Sequence, residues 1–366
     1  MAEWQRTMEV MEMNPEFWRG KRVFLTGHTG FKGGWLALWL QSLGAEVHGF
    51  ALEPLTEPNL YTVARVGDGM ASSVIADIRD GVVLAASLQA AKPEIIFHLA
   101  AQALVRYSYV QPVETYATNI MGTANLLEAV RQTGGIRAAI VVTSDKCYEN
   151  REWHRGYRED DMLGGHDPYS SSKACAEIVT TAYRRSYFEK GDTLPAVASV
   201  RAGNVIGGGD WSTDRLVPDM MTAFISNRPA VIRNPHAIRP WQHVLEPLAG
   251  YLLLAERLWT GDGQYVGSWN FGPDEADAYP VSRLADQLTA AWGNSVRWQQ
   301  VGGEQPHEAN YLRLDSSKAR QQLGWLPKLH LATALEWVVE WYKAYGTGGD
   351  VKQLTQEQIA RFQEIA

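Results

Sequence analysis

Two cysteines in 366 residues, Cys147 and Cys175, are too few for a disulfide framework or a cysteine-based zinc site, and both read as buried thiols of a reducing compartment. The nine histidines lack ligand spacing such as HExxH, so no metal is expected. No apolar run approaches the ~18 residues that a membrane span needs. The stretch 1–20 carries acidic residues where a signal peptide would have its apolar segment, so a cytoplasmic protein without a membrane partner is expected. Basic charge is also short. Thirty-four Lys and Arg against 41 Asp and Glu leave a net charge of −7, which argues against nucleic acid as a partner. Any anionic ligand must then be met by cations gathered locally. Repeats and low-complexity tracts are missing too.

What the chain does have is alternation. Strands are expected at 22–27, 46–51, 74–77, 94–100, 138–144 and 196–202, with helices at 33–43, 82–91, 112–132 and 168–188 between them. That spacing builds right-handed βαβ units and a parallel sheet, and the unbroken Val/Ile/Leu runs suit a sheet covered on both faces. After Gly203 the pattern loosens: Gly207-Gly208-Gly209 and several prolines mark loops, followed by an apolar helix at 245–259 and a helical tail that includes 333–345. The chain reads as α/β, a Rossmann-type doubly wound parallel sheet with a smaller mixed α/β C-terminal substrate lobe. The sheet domain takes 17–203 and about 243–272; the lobe takes about 204–242 and 273–350; 1–16 and 351–366 read as terminal extensions.

Gly27-His28-Thr29-Gly30-Phe31-Lys32-Gly33 follows the first strand and opens the first helix. Glycines there permit a tight turn and close backbone approach to a pyrophosphate, whose charge the helix N-terminus stabilises. Placed between strand and helix, the loop marks a dinucleotide site. Beyond the second strand stands Glu53, either a ligand of a ribose 2′-hydroxyl or a solvated loop carboxylate, and no Lys or Arg follows before Arg65. NAD is therefore favoured over NADP. Asp77 and Ile78 close the third strand, where Asp77 is either an ordinary strand-end residue or a partner of the adenine. Leu99, Ala100 and Ala101 end the fourth strand with small residues that let backbone approach a cofactor.

Tyr169 and Lys173 stand four residues apart at the start of the helix at 168–188, the one Tyr-x-x-x-Lys in the chain. Residues i and i+4 share a helix face, so phenol and ammonium reach one site. A tyrosine with a reference pKa of ~10 is a poor base until neighbouring cations favour its phenolate. One strand earlier lies Val142-Thr143-Ser144-Asp145-Lys146-Cys147-Tyr148. Strand carboxyl ends face the ligand crevice of such sheets. Ser144 can hydrogen-bond a reacting hydroxyl, while Asp145 and Lys146 put an acid and a potential base at the same rim.

At these residues the sequence resembles the extended short-chain dehydrogenases that process nucleotide sugars, over roughly residues 17–345. Within that family, sugar 4-epimerases carry small uncharged residues at the positions of Asp145-Lys146, and many 4,6-dehydratases carry Asp-Glu. The Asp-Lys version in the string Thr143–Tyr148 resembles the branch that acts on CDP-glucose. The strings Arg201-Ala202-Gly203-Asn204-Val205-Ile206-Gly207-Gly208-Gly209-Asp210-Trp211 and Arg239-Pro240-Trp241-Gln242-His243-Val244 agree with it.

The resemblance implies an internal redox cycle on NAD. C4 of the sugar is oxidised with Tyr169 as base, water is eliminated across C5 and C6, and hydride returns to C6, giving a 4-keto-6-deoxy sugar nucleotide. Asp145 is assigned as acid toward the 6-hydroxyl, with its pKa raised, and Lys146 as the C5 base. For the substrate diphosphate the candidates are Arg201, Arg215, Arg233, Arg239 and Arg313, with Arg233 and Arg239 preferred and Asn204 at the family position that touches the phosphate region; Gln102 is a further substrate-binding candidate, and Asn119 matches a structural asparagine of the family. Trp211 and Trp241 are candidates for lining the sugar or base site, against core packing for most of the 14 tryptophans. A homodimer through the helices at 112–132 and 168–188, and a bacterial role in 3,6-dideoxysugar synthesis for lipopolysaccharide O-antigen, follow from the same resemblance. The alternatives are a dehydratase or 4-epimerase of another nucleotide sugar, or a non-catalytic dinucleotide sensor.

Overall fold

The apolar runs become strands buried along their length: every residue of Ile95–His98 and Ala138–Val142 is shielded from water. Helices must therefore cover both faces. The structure, a computed structural model, describes residues 13–189, 195–274, 278–293, 296–300 and 311–365. Most of the expected N-terminal extension, 1–12, lies outside them.

Strands run in chain order as β1 Arg22–Thr26, β2 Glu46–Ala51, β3 Ser72–Ile75, β4 Ile95–His98, β5 Ala138–Val142, β6 Ala196–Ala202, β7 Asn204–Ile206, β8 Ala230–Ile232, β9 Ile238–His243, β10 Gly267–Phe271, β11 Ala278–Pro280 and β12 Trp298–Gln300. Helices are α1 Pro15–Trp18, α2 Phe31–Ser42, α3 Leu60–Val63, α4 Gly81–Ala91, α5 Val105–Val110, α6 Pro112–Tyr116, α7 Gly122–Gln132, α8 Pro168–Tyr183, α9 Leu216–Ile225, α10 Leu245–Trp259, α11 Val281–Trp292, α12 Ser317–Leu323, α13 Leu331–Gly346 and α14 Val351–Glu364. Seven strands form one parallel sheet in the order β10-β6-β5-β4-β1-β2-β3. This is the doubly wound Rossmann order extended by β10, with its reversal between β1 and β4, where ligands of such sheets bind. Among the described residues β7, β9 and β11 make a second small sheet and β8 and β12 a third.

Two differences from the sequence reading have physical causes. The segment 112–132 is not one regular helix: α6 passes through a wide π turn, Ala117–Met121, into α7. Such turns occur often at functional sites, and this one turns Asn119 inward. The C-terminal segment 351–364, read as an extension, is the helix α14. Asp350 caps it by accepting from the Lys352 and Gln353 N–H groups, and its buried Val351, Ile359 and Phe362 join the main core. The Phe362 ring meets Trp39 of α2 edge-on at 5.7 Å. Among the described residues no helix is long and apolar enough to cross a membrane.

Phe362→Ala removes this anchor and should destabilise the fold by about 3–5 kcal/mol, read as a lowered urea midpoint at unchanged slope. A loss below about 1 kcal/mol would mean that α14 is an appendage after all.

Candidate active site

Where β1 and β4 part, their C-terminal ends carry the glycine turn. Gly27 has φ +79°, and a Cβ there would stand 2.7 Å from the Ala100 nitrogen and 2.8 Å from the Leu99 carbonyl carbon. At Gly33 a Cβ would come 2.0 Å from the Gly27 oxygen. These two glycines are demanded by the chain itself. Gly30 is different: a Cβ there meets only the Gly27 oxygen, at 3.4 Å, so its open side faces outward. Gly30 is also the N-cap of α2 and provides no side-chain cap, leaving the first-turn N–H groups free for an anion. A dinucleotide pyrophosphate fits this cradle.

The neighbouring side chains brace the turn. Thr29 Oγ1 donates to the Leu52 carbonyl at 2.8 Å, tying the loop to the end of β2 beside the exposed Glu53. The Leu99 and Ala100 N–H groups both donate to Thr26 Oγ1 at 3.1 Å. Phe31 packs over Gly207, where a Cβ would meet its ring at 3.0 Å. The His28 ring points inward: Nε2 lies 2.8 Å from Ser73 Oγ, and burial pushes its pKa down to about 4. Only its backbone can serve a ligand. Asp77 is bound by Arg79, which also holds its carboxyl below the ordinary range, and Ile78 follows in the loop, with its carbonyl accepting from Asn125.

The chemistry-bearing residues meet where β5 ends. Ser144 caps a short turn, Asp145–Cys147; its hydroxyl accepts from the Lys146 N–H at 3.2 Å and donates to Asp145 Oδ1 at 3.0 Å. The same hydroxyl lies near enough to the Tyr169 phenol to pull its pKa down. Asp145 is buried, and burial raises its pKa against the opposing charges of Lys146 and Arg239. Gly203, at the end of β6, faces that carboxylate: a Cβ there would stand 3.1 Å from Asp145 Oδ2.

α8 supplies the other half. Asp167 caps it and Pro168 opens it, which fixes its first turn. Tyr169 and Lys173 point to the same side, as their spacing requires. The expected lowering of the phenol is not what the chain's own groups produce: burial dominates and pushes Tyr169 up to about 12, with Ser144 and the Arg215 charge pulling down. Lys173 Nζ donates to the Val142 carbonyl at 3.3 Å, and burial lowers it to about 8 against the field of Glu177.

Asn119 knits these parts together. Its side chain accepts from the Gln102 N–H at 2.9 Å and donates to the Gln102 carbonyl and to Ser172 Oγ. Gln102 itself turns to structural contacts: its amide bonds the Leu104 backbone and Thr115 Oγ1 rather than reaching into the crevice.

The arginines separate sharply. Arg201 is a correction: it lies in the protein interior, 2% exposed, paired with Glu177 at 2.8 Å, and cannot meet a phosphate. Arg313 donates to the His154 carbonyl. Arg233 pairs with Asp214 at 2.6 Å, which Arg106 also approaches at 3.7 Å. Arg215, at the start of α9, pairs with Asp210 at 3.0 Å and reaches the Ala103 carbonyl; its charge is felt at Tyr169 and Lys32. Arg239 lies close enough to act on Asp145, and Asn204 pairs in register with Trp241. Trp211 joins Trp341, Tyr342 and Tyr345 in an aromatic cluster, a packing role, whereas Trp241 has a buried indole N–H without an acceptor among the described residues.

Two residues of this centre escaped the sequence reading. Lys32, inside the glycine loop, has its ammonium over the Tyr251 ring, 5.8 Å from the centroid, and burial together with the charges of Arg215 and Lys173 lowers it to about 7. A charged residue in a turn this tightly packed was the available signal. Glu177 continues the face of Tyr169 and Lys173 by one more turn, so four-residue spacing could have found it.

A parallel sheet in this order, a glycine cradle at its switch point and a Tyr/Lys pair on α8 define an extended short-chain dehydrogenase. Residues 24–337 match the model of the family described as GDP-mannose 4,6 dehydratase, and the chain belongs to that family. It is 52% identical over 353 residues to the CDP-glucose 4,6-dehydratase of Salmonella typhimurium, covering 96% of this chain and 98% of that one. It is 26% identical to a probable dTDP-glucose 4,6-dehydratase of Sinorhizobium fredii, over 89% and 93% of the two chains. Among solved structures, dTDP-glucose 4,6-dehydratase of Bacillus anthracis in complex with NAD superposes with a TM-score of 0.74 at 22% identity, over 92% of this chain and 100% of that one.

Because the Lys146 charge opposes the rise at Asp145, Lys146→Met should move the Asp145 titration further up, seen by carboxyl carbon-13 NMR. A midpoint that stays or falls would refute the coupling.

Proposed function

We propose that the protein is an NAD-dependent CDP-D-glucose 4,6-dehydratase, converting CDP-glucose to CDP-4-dehydro-6-deoxy-D-glucose and water. The observation that carries the reading is the meeting of Ser144, Asp145 and Tyr169 in one buried centre, where Ser144 donates to Asp145 and burial raises Asp145 toward the protonated state an acid needs. The nucleotide and sugar rest on the likeness to the Salmonella enzyme.

Gly27–Gly33 and the α2 N-terminus would hold the pyrophosphate of the cofactor, Glu53 its ribose, Asp77 and Ile78 its adenine, and Leu99–Ala101 with Tyr169 and Lys173 its nicotinamide end. When bound, NAD supplies a reversible two-electron acceptor that takes the C4 hydrogen in the first step and returns it to C6 in the last. Tyr169 oxygen accepts the 4-hydroxyl proton, oriented by Ser144. The 4-ketone then acidifies C5–H, and Lys146 Nζ removes that proton. Asp145 donates a proton to the departing 6-hydroxyl, and water leaves. C5 is reprotonated by Lys146 as C6 is reduced. Each proton transfer of this kind contributes about 10²–10⁴-fold. Burial sets Tyr169 at about 12, so the phenolate depends on the cations around it: Lys173, Arg215 and the oxidised nicotinamide. Arg215, Arg233 and Arg239, with Asn204, bind the diphosphate, and Arg215 and Arg239 are favoured by their fields at the centre.

The active form is a cytoplasmic homodimer formed by α6–α7 and α8, where Val113, Met121, Ile178 and Tyr187 leave apolar surface in water. The product enters 3,6-dideoxysugar synthesis for lipopolysaccharide.

Incubation with NAD and CDP-glucose, beside dTDP-, UDP- and GDP-sugars, should give a 4-keto product, detected by ultraviolet absorbance in alkali, fastest from CDP-glucose. Equal or better turnover of another nucleotide, or epimerised product, would replace the assignment. Lys146→Ala should oxidise C4 and stall with reduced cofactor bound. Water loss at the wild-type rate in that variant would remove Lys146 as the C5 base.

A further inference from the structure

Three arginines from separate segments gather near the start of α9. Arg106 comes from α5, in the connection after β4; Arg215 immediately precedes α9; Arg233 follows β8. Their counter-ions differ in kind. Asp210, which holds Arg215 at 3.0 Å, has a side chain only 5% exposed and is fixed by accepting from the Ser212 N–H at 3.0 Å. The Asp214 side chain is 45% exposed, and its Oδ1 meets two guanidiniums at once: Arg233 Nη1 at 2.6 Å and Arg106 Nη1 at 3.7 Å. Arg233 Nη2 also donates to the Asp214 carbonyl at 3.2 Å. A single exposed carboxylate thus ties the loop before α9 both to α5 and to the end of β8. Arg215 strengthens the same junction by reaching the Ala103 carbonyl, just ahead of α5.

We propose that Asp214 stands in for the substrate diphosphate: it holds Arg106 and Arg233 together until the diphosphate takes them over, and Arg106 is a further substrate-binding residue. This rests on the diphosphate reading of Arg233 given above. An ion pair open to water holds weakly, because solvent screens it and two long side chains must be ordered to form it. A diphosphate brings more charge and several acceptor oxygens, so each guanidinium can grip it by two parallel hydrogen bonds, whereas on Asp214 the two share one oxygen. The exchange therefore favours the ligand. A singly charged anion has no such advantage over a carboxylate already in place, so Asp214 also screens out weaker competitors. Asp210, sealed from water, does not take part and keeps Arg215 where it is.

The test is the affinity of the NAD-saturated protein for inorganic pyrophosphate, measured by titration calorimetry; saturation with NAD keeps the probe off the glycine turn. Asp214→Asn removes the competing charge and keeps the size. Asparagine tolerates the left-handed backbone at 214 (φ +63°) as aspartate does, and the carbonyl bond to Arg233 is untouched. This variant should bind pyrophosphate about two- to five-fold more tightly. Arg106→Gln should bind it about ten-fold less tightly, and Arg106→Lys should recover part of the loss, since it restores the charge without the planar fork. Tighter binding is a result that damaged packing does not produce. Weaker or unchanged binding in Asp214→Asn, or unchanged binding in Arg106→Gln, would overturn the proposal.

Because the probe carries no nucleoside, the result does not depend on which base the enzyme prefers. Arg239→Gln, measured beside the other variants, keeps this inference apart from the proposed function, since Arg239 belongs to the diphosphate reading whether or not Asp214 exchanges. Pyrophosphate binding that weakens in Arg239→Gln but is indifferent to Asp214→Asn overturns the exchange and leaves the proposed function standing. Binding that is indifferent to Arg239→Gln, yet tightens in Asp214→Asn and weakens in Arg106→Gln, upholds the exchange and removes Arg239 from the diphosphate site.

Discussion

The buried pair of Glu177 and Arg201 is the constraint around which the rest of the molecule is arranged. Arg201 has its second arm on the Tyr148 hydroxyl at 2.5 Å and on the Glu159 carbonyl. Tyr148 donates in turn to Asn270 Oδ1, and Asn270 amide hydrogens reach the Tyr157 and Asp315 carbonyls. One network thus joins α8, the end of β5, β6, β10 and the segments at 157 and 315. Breaking a buried pair from one side leaves an uncompensated charge and typically costs about 3–5 kcal/mol. The network can therefore take up only one arrangement, and Ser144–Tyr148 is held against α8 in that arrangement.

Burial acts on the centre with one rule and two useful results. It disfavours charge, so Asp145 is raised toward the acid form while Tyr169 is pushed up to about 12. The first helps a group meant to give a proton; the second hinders a group meant to take one. Cations reconcile the two only by position. Arg215 and Ser144 lower Tyr169, and Lys146 and Arg239 lower Asp145, yet burial prevails at both in the chain alone. Arg215, at the start of α9, is held by Asp210 and the Ala103 carbonyl, so the phenol senses how that segment is seated.

The parallel sheet, the glycine turn and the Tyr169/Lys173 pair were legible because each is a local rule: alternating periodicity, a backbone demand for glycine at 27 and 33, and a four-residue helical spacing. The residues misread are those whose fate depends on distant partners. Arg201 looked like a phosphate ligand because a sequence displays its charge and not Glu177, 24 positions away. Gln102 looked available because Thr115 and the Leu104 backbone are brought to it by the loop. The π turn at Asn119 and the anchoring of α14 on Trp39 likewise follow from tertiary contacts that override local periodicity. Lys32 stands in the glycine loop as one residue of a motif, and only the fold shows its ammonium buried over Tyr251 within the field of Arg215, Lys173 and Asp145.

The exchange of a glutamate for Lys146 reverses the local electrostatics. An acid beside Asp145 would repel its carboxylate and raise its pKa by charge as well as by burial, because two neighbouring carboxylates resist ionising together. A lysine draws Asp145 the other way, so its raised state here must come from exclusion of water. Dry walls around Asp145 are thus a condition of the Asp-Lys chemistry rather than an accompaniment to it. Gly203 is part of that wall: with no side chain at 203, backbone closes directly over Asp145 Oδ2.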